Sequence, residues 1–210
     1  MLMKLRSLFI LCILSLIGGA TVLASSLAVS AETVQPLKVG QGLPAANVVT
    51  PEGKSVSLAE LANGKPTLLI FYRGGWCPFC NAHLSALADI ELDLRQLGFQ
   101  IIGITPDPAE ALLATAKETR VRYRLVSDRT MEASGAFGIA FRLPPEAGAR
   151  YKSNGIELPP APDGNGFWQP VPAAFIVSRD GVIRFAYHHA DPANPADPAK
   201  LLAFAKTIAR

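Results

Sequence analysis

Apolar residues run without a break through Thr67-Leu68-Leu69-Ile70-Phe71-Tyr72, just after Pro66, and again from Phe99 to Thr105. Continuous runs of this length, bounded by turn residues, suit strands buried on both faces of a sheet. Between them, Leu84, Leu87, Ile90, Leu94 and Leu97 recur every three or four residues and end at Gly98. That spacing predicts a single helix with one apolar face and a glycine stop. Pro106-Asp107-Pro108 then opens a predicted helix over 109–119, because proline is tolerated in a first turn. Residues 123–126 read as a third strand, and Asp128 as the cap of a helix through Met131 and Ala136. Further on, Phe175-Ile176-Val177-Ser178, Arg179-Asp180-Gly181 and residues 182–187 make a strand, tight turn and strand. A closing helix spans 200–208.

Upstream of the first buried strand, residues 33–47 form an entry segment and Gly53-Lys54 a turn. Ser55-Val56-Ser57-Leu58 and a short helical piece follow, ending at Asn63-Gly64. The order βαβαβα followed by ββα predicts an α/β fold: a mostly parallel central sheet flanked by helices, with a late β-hairpin. Residues 141–172 interrupt it with a Pro/Gly-rich insertion containing Leu143-Pro144-Pro145, Asn154-Gly155, Leu158-Pro159-Pro160 and Asp163-Gly164-Asn165-Gly166. Long irregular connections of this kind are functional loops or surface insertions, and both readings stay open.

The N-terminus has a different pattern. Lys4 and Arg6 precede a strongly apolar run from Leu8 to Leu23, and small residues follow up to Val29-Ser30-Ala31. A basic start, apolar middle and small-residue end make residues 1–31 a signal peptide cleaved before Glu32. The alternative is an N-terminal anchor, because Ser7 to Ala31 carries no charge. The protein is accordingly expected to be exported, periplasmic or extracytoplasmic, with membrane contact only if the segment is uncleaved. Residues 32–210 form the functional domain.

Charge and composition narrow the function. The chain of 210 residues is 50% hydrophobic with a net charge of +3, unlike a disordered chain. Without residues 1–31, 18 basic residues face 17 acidic ones, which gives no support for nucleic acid binding. His83, His188 and His189 are the only histidines, and no paired Cys/His spacing points to a metal. His83 reads as an exposed helix histidine and His188-His189 as surface. No glycine-rich nucleotide-binding pattern is present, and no cofactor is implied.

Of three cysteines, Cys12 falls in the targeting segment, so Cys77 and Cys80 are the whole cysteine content of the domain. The pair stands between a buried strand and a helix, in Arg73-Gly74-Gly75-Trp76-Cys77-Pro78-Phe79-Cys80. Unpaired amides and the helix dipole favour an anion at a helix start, so a thiolate there is stabilised. Arg73 adds positive charge if its side chain turns inward, and Pro78 is compatible with a first helical position. Trp76 either shapes a substrate groove or packs beside the pair. A purely structural disulfide would close a very small loop and constrain the unfolded chain little. A redox centre is the stronger reading.

The stretch Phe71-Tyr72-Arg73-Gly74-Gly75-Trp76-Cys77-Pro78-Phe79-Cys80-Asn81 resembles the active-site segment of the AhpC/TSA (peroxiredoxin-like) family. From about Gly42 onward, Gly42-Leu43-Pro44, Gly53 to Leu58, Pro172 to Val177 and Asp180 to Arg184 carry the same likeness. The resemblance implies a thioredoxin-like fold. It sets Arg73 at the position of that family's proline, Cys77 at its threonine, Cys80 at its peroxidatic cysteine and Pro172 at its distant arginine. The motif also resembles thioredoxin's Trp-Cys-x-x-Cys, whose first cysteine is the nucleophile. Thioredoxin's buried aspartate corresponds to Phe71, and Val171-Pro172 to its cis proline facing the cysteines.

Two mechanisms follow. In a peroxidase, one thiolate attacks a hydroperoxide, and the resulting sulfenic acid condenses with the neighbouring thiol. A thioredoxin-type donor then restores the dithiol. In an exchange enzyme, Cys77 attacks a protein disulfide and Cys80 resolves the mixed disulfide. A peroxiredoxin-like antioxidant is the leading expectation, the exchange enzyme its alternative, and a binding module with an inert disulfide the third class.

Overall fold

The computed structural model describes residues 30–209. The expected targeting segment, with Cys12, lies outside the described residues apart from Ser30 and Ala31. No helix among the described residues is long and apolar enough to cross a membrane.

The strands are β1 (Asn47–Val49), β2 (Ser55–Ser57), β3 (Thr67–Phe71), β4 (Gln100–Thr105), β5 (Arg124–Ser127), β6 (Ala140–Leu143), β7 (Phe167–Pro170), β8 (Ala173–Val177) and β9 (Ile183–His188). The helices are α1 (Leu58–Ala62), α2 (Pro78–Asp89), α3 (Glu91–Gln96), α4 (Leu112–Thr119), α5 (Glu132–Ala136), α6 (Pro145–Ser153) and α7 (Pro198–Ile208). Seven strands form one sheet in the order β2-β1-β5-β4-β3-β8-β9.

The α/β sheet flanked by helices is as expected, but it is mixed and not mostly parallel: only at its centre, where β3 pairs with β4 and β4 with β5, do the strands run parallel. At the edges, β1–β2, β1–β5, β3–β8 and β8–β9 are antiparallel. The tight turns of the β1–β2 and β8–β9 hairpins can join only antiparallel neighbours. Alternation along β3 separates two cores. Leu69 and Phe71 face Leu58 and Leu61 of α1, Ala133 of α5 and Phe137. Leu68, Ile70 and Tyr72 face Leu84 and Leu87 of α2, Leu94 of α3, Leu112 of α4 and Leu201 of α7. Phe71, Phe137 and Phe175 pack as an aromatic cluster, with ring centroids 4.7–6.0 Å apart.

Three details depart from the sequence reading. The single helix expected up to Gly98 is two helices, broken at Ile90 (φ −101, ψ 0). The break lets α3 put Leu94 into the core, and the chain ends it as expected at Gly98 (φ +84) with Phe99 N–H on Leu94 O at 2.9 Å. The helix expected after Asp128 starts only at Glu132, because Met131 is left-handed (φ +60). Asp128 still caps it, accepting from Ala133 N (2.9 Å), Ser134 N (2.7 Å) and the Ser134 hydroxyl (2.7 Å).

The third departure is the insertion, which is ordered. β6 and β7 pair as an antiparallel ribbon, with α6 between them in the chain. A Cβ at Gly148 would stand 1.9 Å from the Phe167 ring, so this glycine lets α6 lie directly on β7.

Candidate active site

The cysteine pair sits where β3 ends. Tyr72 N–H bonds Ile104 O (3.0 Å), so the strand is held until one residue before the loop. Gly74 and Gly75 then turn the chain, and neither position has room for a side chain. A Cβ on Gly74 would meet Trp76 Nε1 at 2.1 Å and Asp107 Oδ1 at 2.8 Å, and one on Gly75 would meet Thr115 Oγ1 at 2.1 Å. Gly74 is also at φ +155.

Buried Asp107, just after β4, fixes this turn: its Oδ2 accepts the Gly75 N–H at 2.7 Å. Asn81 Nδ2 donates to Gly75 O, also at 2.7 Å. Burial raises the Asp107 carboxyl above its ordinary range. Sequence reasoning assigned no role to Asp107 or Asn81. The only signal was the Pro106-Asp107-Pro108 turn beside a strand end.

Cys77 is the N-cap of α2, in extended conformation, with Pro78 at the first helical position as expected. Its sulfur accepts the Cys80 N–H at 3.4 Å. Both cysteines are free and buried, and their acidities move in opposite directions. Hydrogen bonding with the Cys80 side chain lowers the Cys77 pKa to about 6. Burial opposes that, while the Cys80 and Phe79 N–H groups and the Arg73 charge act with it. Cys80 is pushed up, first by the hydrogen bond and then by burial and the Cys77 charge. Ionisation in the pair is therefore favoured at Cys77 over Cys80.

Arg73 does turn inward. Its guanidinium stands 5.3 Å from the Trp76 ring centroid and 5.8 Å from that of Tyr151, and it donates to the Tyr151 hydroxyl. Trp76 and Tyr151 meet edge to face at 5.1 Å. Tyr151 lies on α6, so the insertion contributes directly to the surroundings of the pair. Nothing in its own segment marked it, because the helix carrying it lacks a strong apolar stripe.

On the other side, Phe79, Cys80, His83, Pro172, Pro192 and Pro195 line a small hollow. The structure thus brings Pro172 to Cys80, but the Val171–Pro172 bond is trans, since no cis peptide occurs among the described residues. Here the chain runs extended from β7 into β8, with Val171 N–H on Ile139 O (2.9 Å) and Pro172 O accepting from His189 N (3.1 Å). His83 is not the exposed helix histidine expected. It is partly buried, Nε2 bonds Ala196 O at 2.8 Å, and desolvation lowers its pKa. Phe79 is 54% exposed. His188 and His189 are at the surface, and no group of three metal-binding side chains occurs among the described residues.

Comparison with known proteins gives a consistent outcome. The AhpC/TSA family profile matches residues 39–186. Peroxiredoxin Bcp of Escherichia coli K12 is 27% identical over 106 residues, covering 50% of this chain and 67% of that protein. A Bcp relative in Haemophilus influenzae is 30% identical over 106 residues, covering 50% and 68%. Among solved structures, peroxidoxin BcpB of Mycobacterium tuberculosis superposes with a TM-score of 0.65 at 20% identity, covering 82% of this chain and 98% of that one. Reduced Prx3 of Vibrio vulnificus gives 0.65 at 18% identity, covering 81% and 99%.

Proposed function

The chain belongs to the AhpC/TSA family, and from that premise we propose that it is a peroxiredoxin-like, thiol-dependent peroxidase with Cys77 as its nucleophile. The observation that carries the assignment is the place of the pair at the start of α2: Cys77 is the N-cap and its sulfur accepts the Cys80 N–H at 3.4 Å, an arrangement that lowers the Cys77 pKa while that of Cys80 is raised. Family alignment alone put the peroxidatic role on Cys80. A thiol whose pKa is raised is a poor first nucleophile, whereas ionisation at the helix N-cap favours attack by Cys77.

In the first step the Cys77 thiolate attacks the terminal oxygen of a hydroperoxide. The S–O bond forms as the O–O bond breaks, and the alkoxide leaves with a proton as the alcohol. Cys80 carries the nearest thiol proton to that reaction. In the second step the Cys80 sulfur displaces hydroxide from the Cys77 sulfenic acid, forming the Cys77–Cys80 disulfide and water. In sum, two thiols and one hydroperoxide give a disulfide, an alcohol and water. A thioredoxin-type dithiol closes the cycle by exchange. Arg73, beside both sulfurs, supplies positive charge for the attacking thiolate and the departing oxygen. Trp76 and Tyr151 hold that guanidinium in place.

The test is stopped-flow oxidation of the reduced protein by stoichiometric hydrogen peroxide and by an organic hydroperoxide. Rapid loss of both thiols, with the Cys77–Cys80 disulfide as product, is expected. Oxidation no faster than that of a small free thiol, alongside fast exchange with a protein disulfide, overturns the reading in favour of a disulfide-exchange enzyme. We also propose that the domain works outside the cytoplasm, on the pattern of residues 1–31. Cell fractionation with N-terminal sequencing of the mature protein tests this, and a cytoplasmic, uncleaved chain contradicts it.

A further inference from the structure

The end of the sheet opposite the cysteine pair carries a second feature, with no part in thiol chemistry. The starts of β4 and β5, the turn between α3 and β4, and the β8–β9 turn surround a cleft of about 630 Å³. Lys65, Arg95, Arg122, Arg124 and Arg179 line it, against a single carboxylate, Glu91. All five cations are exposed, while Glu91 is buried. The two ion pairs among the described residues, Arg142–Asp163 and Arg184–Asp180, use other cations.

Basic and acidic residues are nearly equal in number from residue 32 onward, so this gathering does not follow from composition. One arginine lies close over the backbone: a Cβ at Gly98 would stand 3.3 Å from Arg179 Nη2, so that guanidinium lies over the α3–β4 turn. Five like charges around one concavity repel one another and focus a positive potential into it. A multiply charged anion relieves that repulsion, and arginine forks suit phosphate oxygens in particular.

The lining also says what the ligand lacks. Its two aromatic residues, Phe99 and Tyr123, are 3% and 7% exposed, and the Tyr123 hydroxyl is bonded to Leu84 O at 2.9 Å. No ring face is offered for stacking a base, so the cleft reads charge and not a nucleobase.

We propose that this cleft binds a multiply charged phosphate anion, as a free oligophosphate or as the headgroup of an anionic phospholipid. The assignment stands apart from the peroxidase reading and survives its failure.

The test titrates the full reduced chain with tripolyphosphate by calorimetry at low and high salt. In parallel, it is sedimented with vesicles containing cardiolipin, whose headgroup carries two phosphodiesters, and with phosphatidylcholine vesicles. The cleft variant is Arg122→Glu with Arg124→Glu. The control, Lys200→Glu with Lys206→Glu, makes the same charge change on exposed positions of α7. Melting curves confirm that both fold, and peroxide turnover is expected to be unchanged in both.

Salt-sensitive tripolyphosphate binding that falls at least about tenfold in the cleft variant, and little in the control, supports the site with a free oligophosphate. Cleft-dependent sedimentation with cardiolipin vesicles but no binding of tripolyphosphate supports it with a lipid headgroup. Equal losses in both variants, or no salt-sensitive binding to either probe, overturn it.

Discussion

Arg73 and Tyr151, 78 residues apart in the chain, are joined by a hydrogen bond from the guanidinium to the phenol oxygen. This contact ties the insertion to the loop before the cysteines and holds a cation where it lowers the pKa of Cys77. Tyr151→Phe keeps the ring against Trp76 and removes only the hydroxyl. The guanidinium then loses its partner and samples other rotamers, so the thiolate fraction of Cys77 near pH 6 is expected to fall by about two- to threefold. Folding stability should change by about 1 kcal/mol or less. Thiolate ultraviolet absorbance against pH, with urea unfolding alongside, measures both.

Arg73→Met removes the charge and keeps much of the aliphatic length. The titration of Cys77 is expected to move to higher pH, and the peroxide reaction at pH 6 to slow by up to about tenfold. At pH 9, where Cys77 is ionised in either protein, the deficit should shrink to whatever Arg73 adds in the transition state. A pH–rate profile of the first oxidation step separates the two contributions.

The loop depends on a buried carboxylate and an uncrowded turn. Asp107→Ala leaves the Gly75 N–H without its acceptor and is expected to cost about 1–3 kcal/mol. Gly75→Ala forces a methyl into Thr115 and should cost about the same. Combining Gly75→Ala with Thr115→Ala should recover part of that loss, because the clash is with the threonine hydroxyl. Urea denaturation of the three variants provides the check, and equal stability of the single and double glycine variants would argue against the steric cause.

Stability should also follow the state of Cys77. Its pKa is lowered in the folded protein, from 9.0 to about 6, so the folded state binds fewer protons between these values. The stabilisation is complete above about pH 9, declines as pH falls, and is gone below about pH 6. Cys80 stays protonated in both states up to about pH 8, but above about pH 9 the unfolded thiol ionises while the folded one does not, so its raised pKa opposes any further gain there. Comparing wild type with Cys77→Ser at several pH values, by reduced-protein unfolding, isolates the contribution. The difference between them should grow with rising pH.

The legible and illegible parts of this molecule divide along physical lines. The buried runs 67–72 and 99–105 announced β3 and β4, since strands covered on both faces leave a continuous apolar signature. The cysteine pair was legible from its spacing and its place between strand and helix. Asp107 and Tyr151 were not, because each reaches the site across a tertiary contact that no local pattern encodes. In α6 the core-facing side is made by Ala147 and by Gly148 lying under Phe167, so small residues stood where a stripe of large apolar ones would have shown a helix. The break at Ile90 was hidden because the spacing of apolar residues continues across it. Which cysteine is ionised depends on the helix start and the charge that the fold brings to each sulfur, a matter of three-dimensional arrangement and not of order in the chain.

Ionisation at Cys77 is the centre of the account, and single-cysteine variants test it most directly. Reduced Cys80→Ser and Cys77→Ser proteins are mixed with hydrogen peroxide, and sulfenic acid is trapped with dimedone and located by mass spectrometry. The account predicts rapid sulfenic acid at Cys77 in the Cys80→Ser protein, and only slow, non-catalytic oxidation in Cys77→Ser. Rapid sulfenic acid at Cys80 in the Cys77→Ser protein, with an unreactive Cys77 in its counterpart, would contradict it.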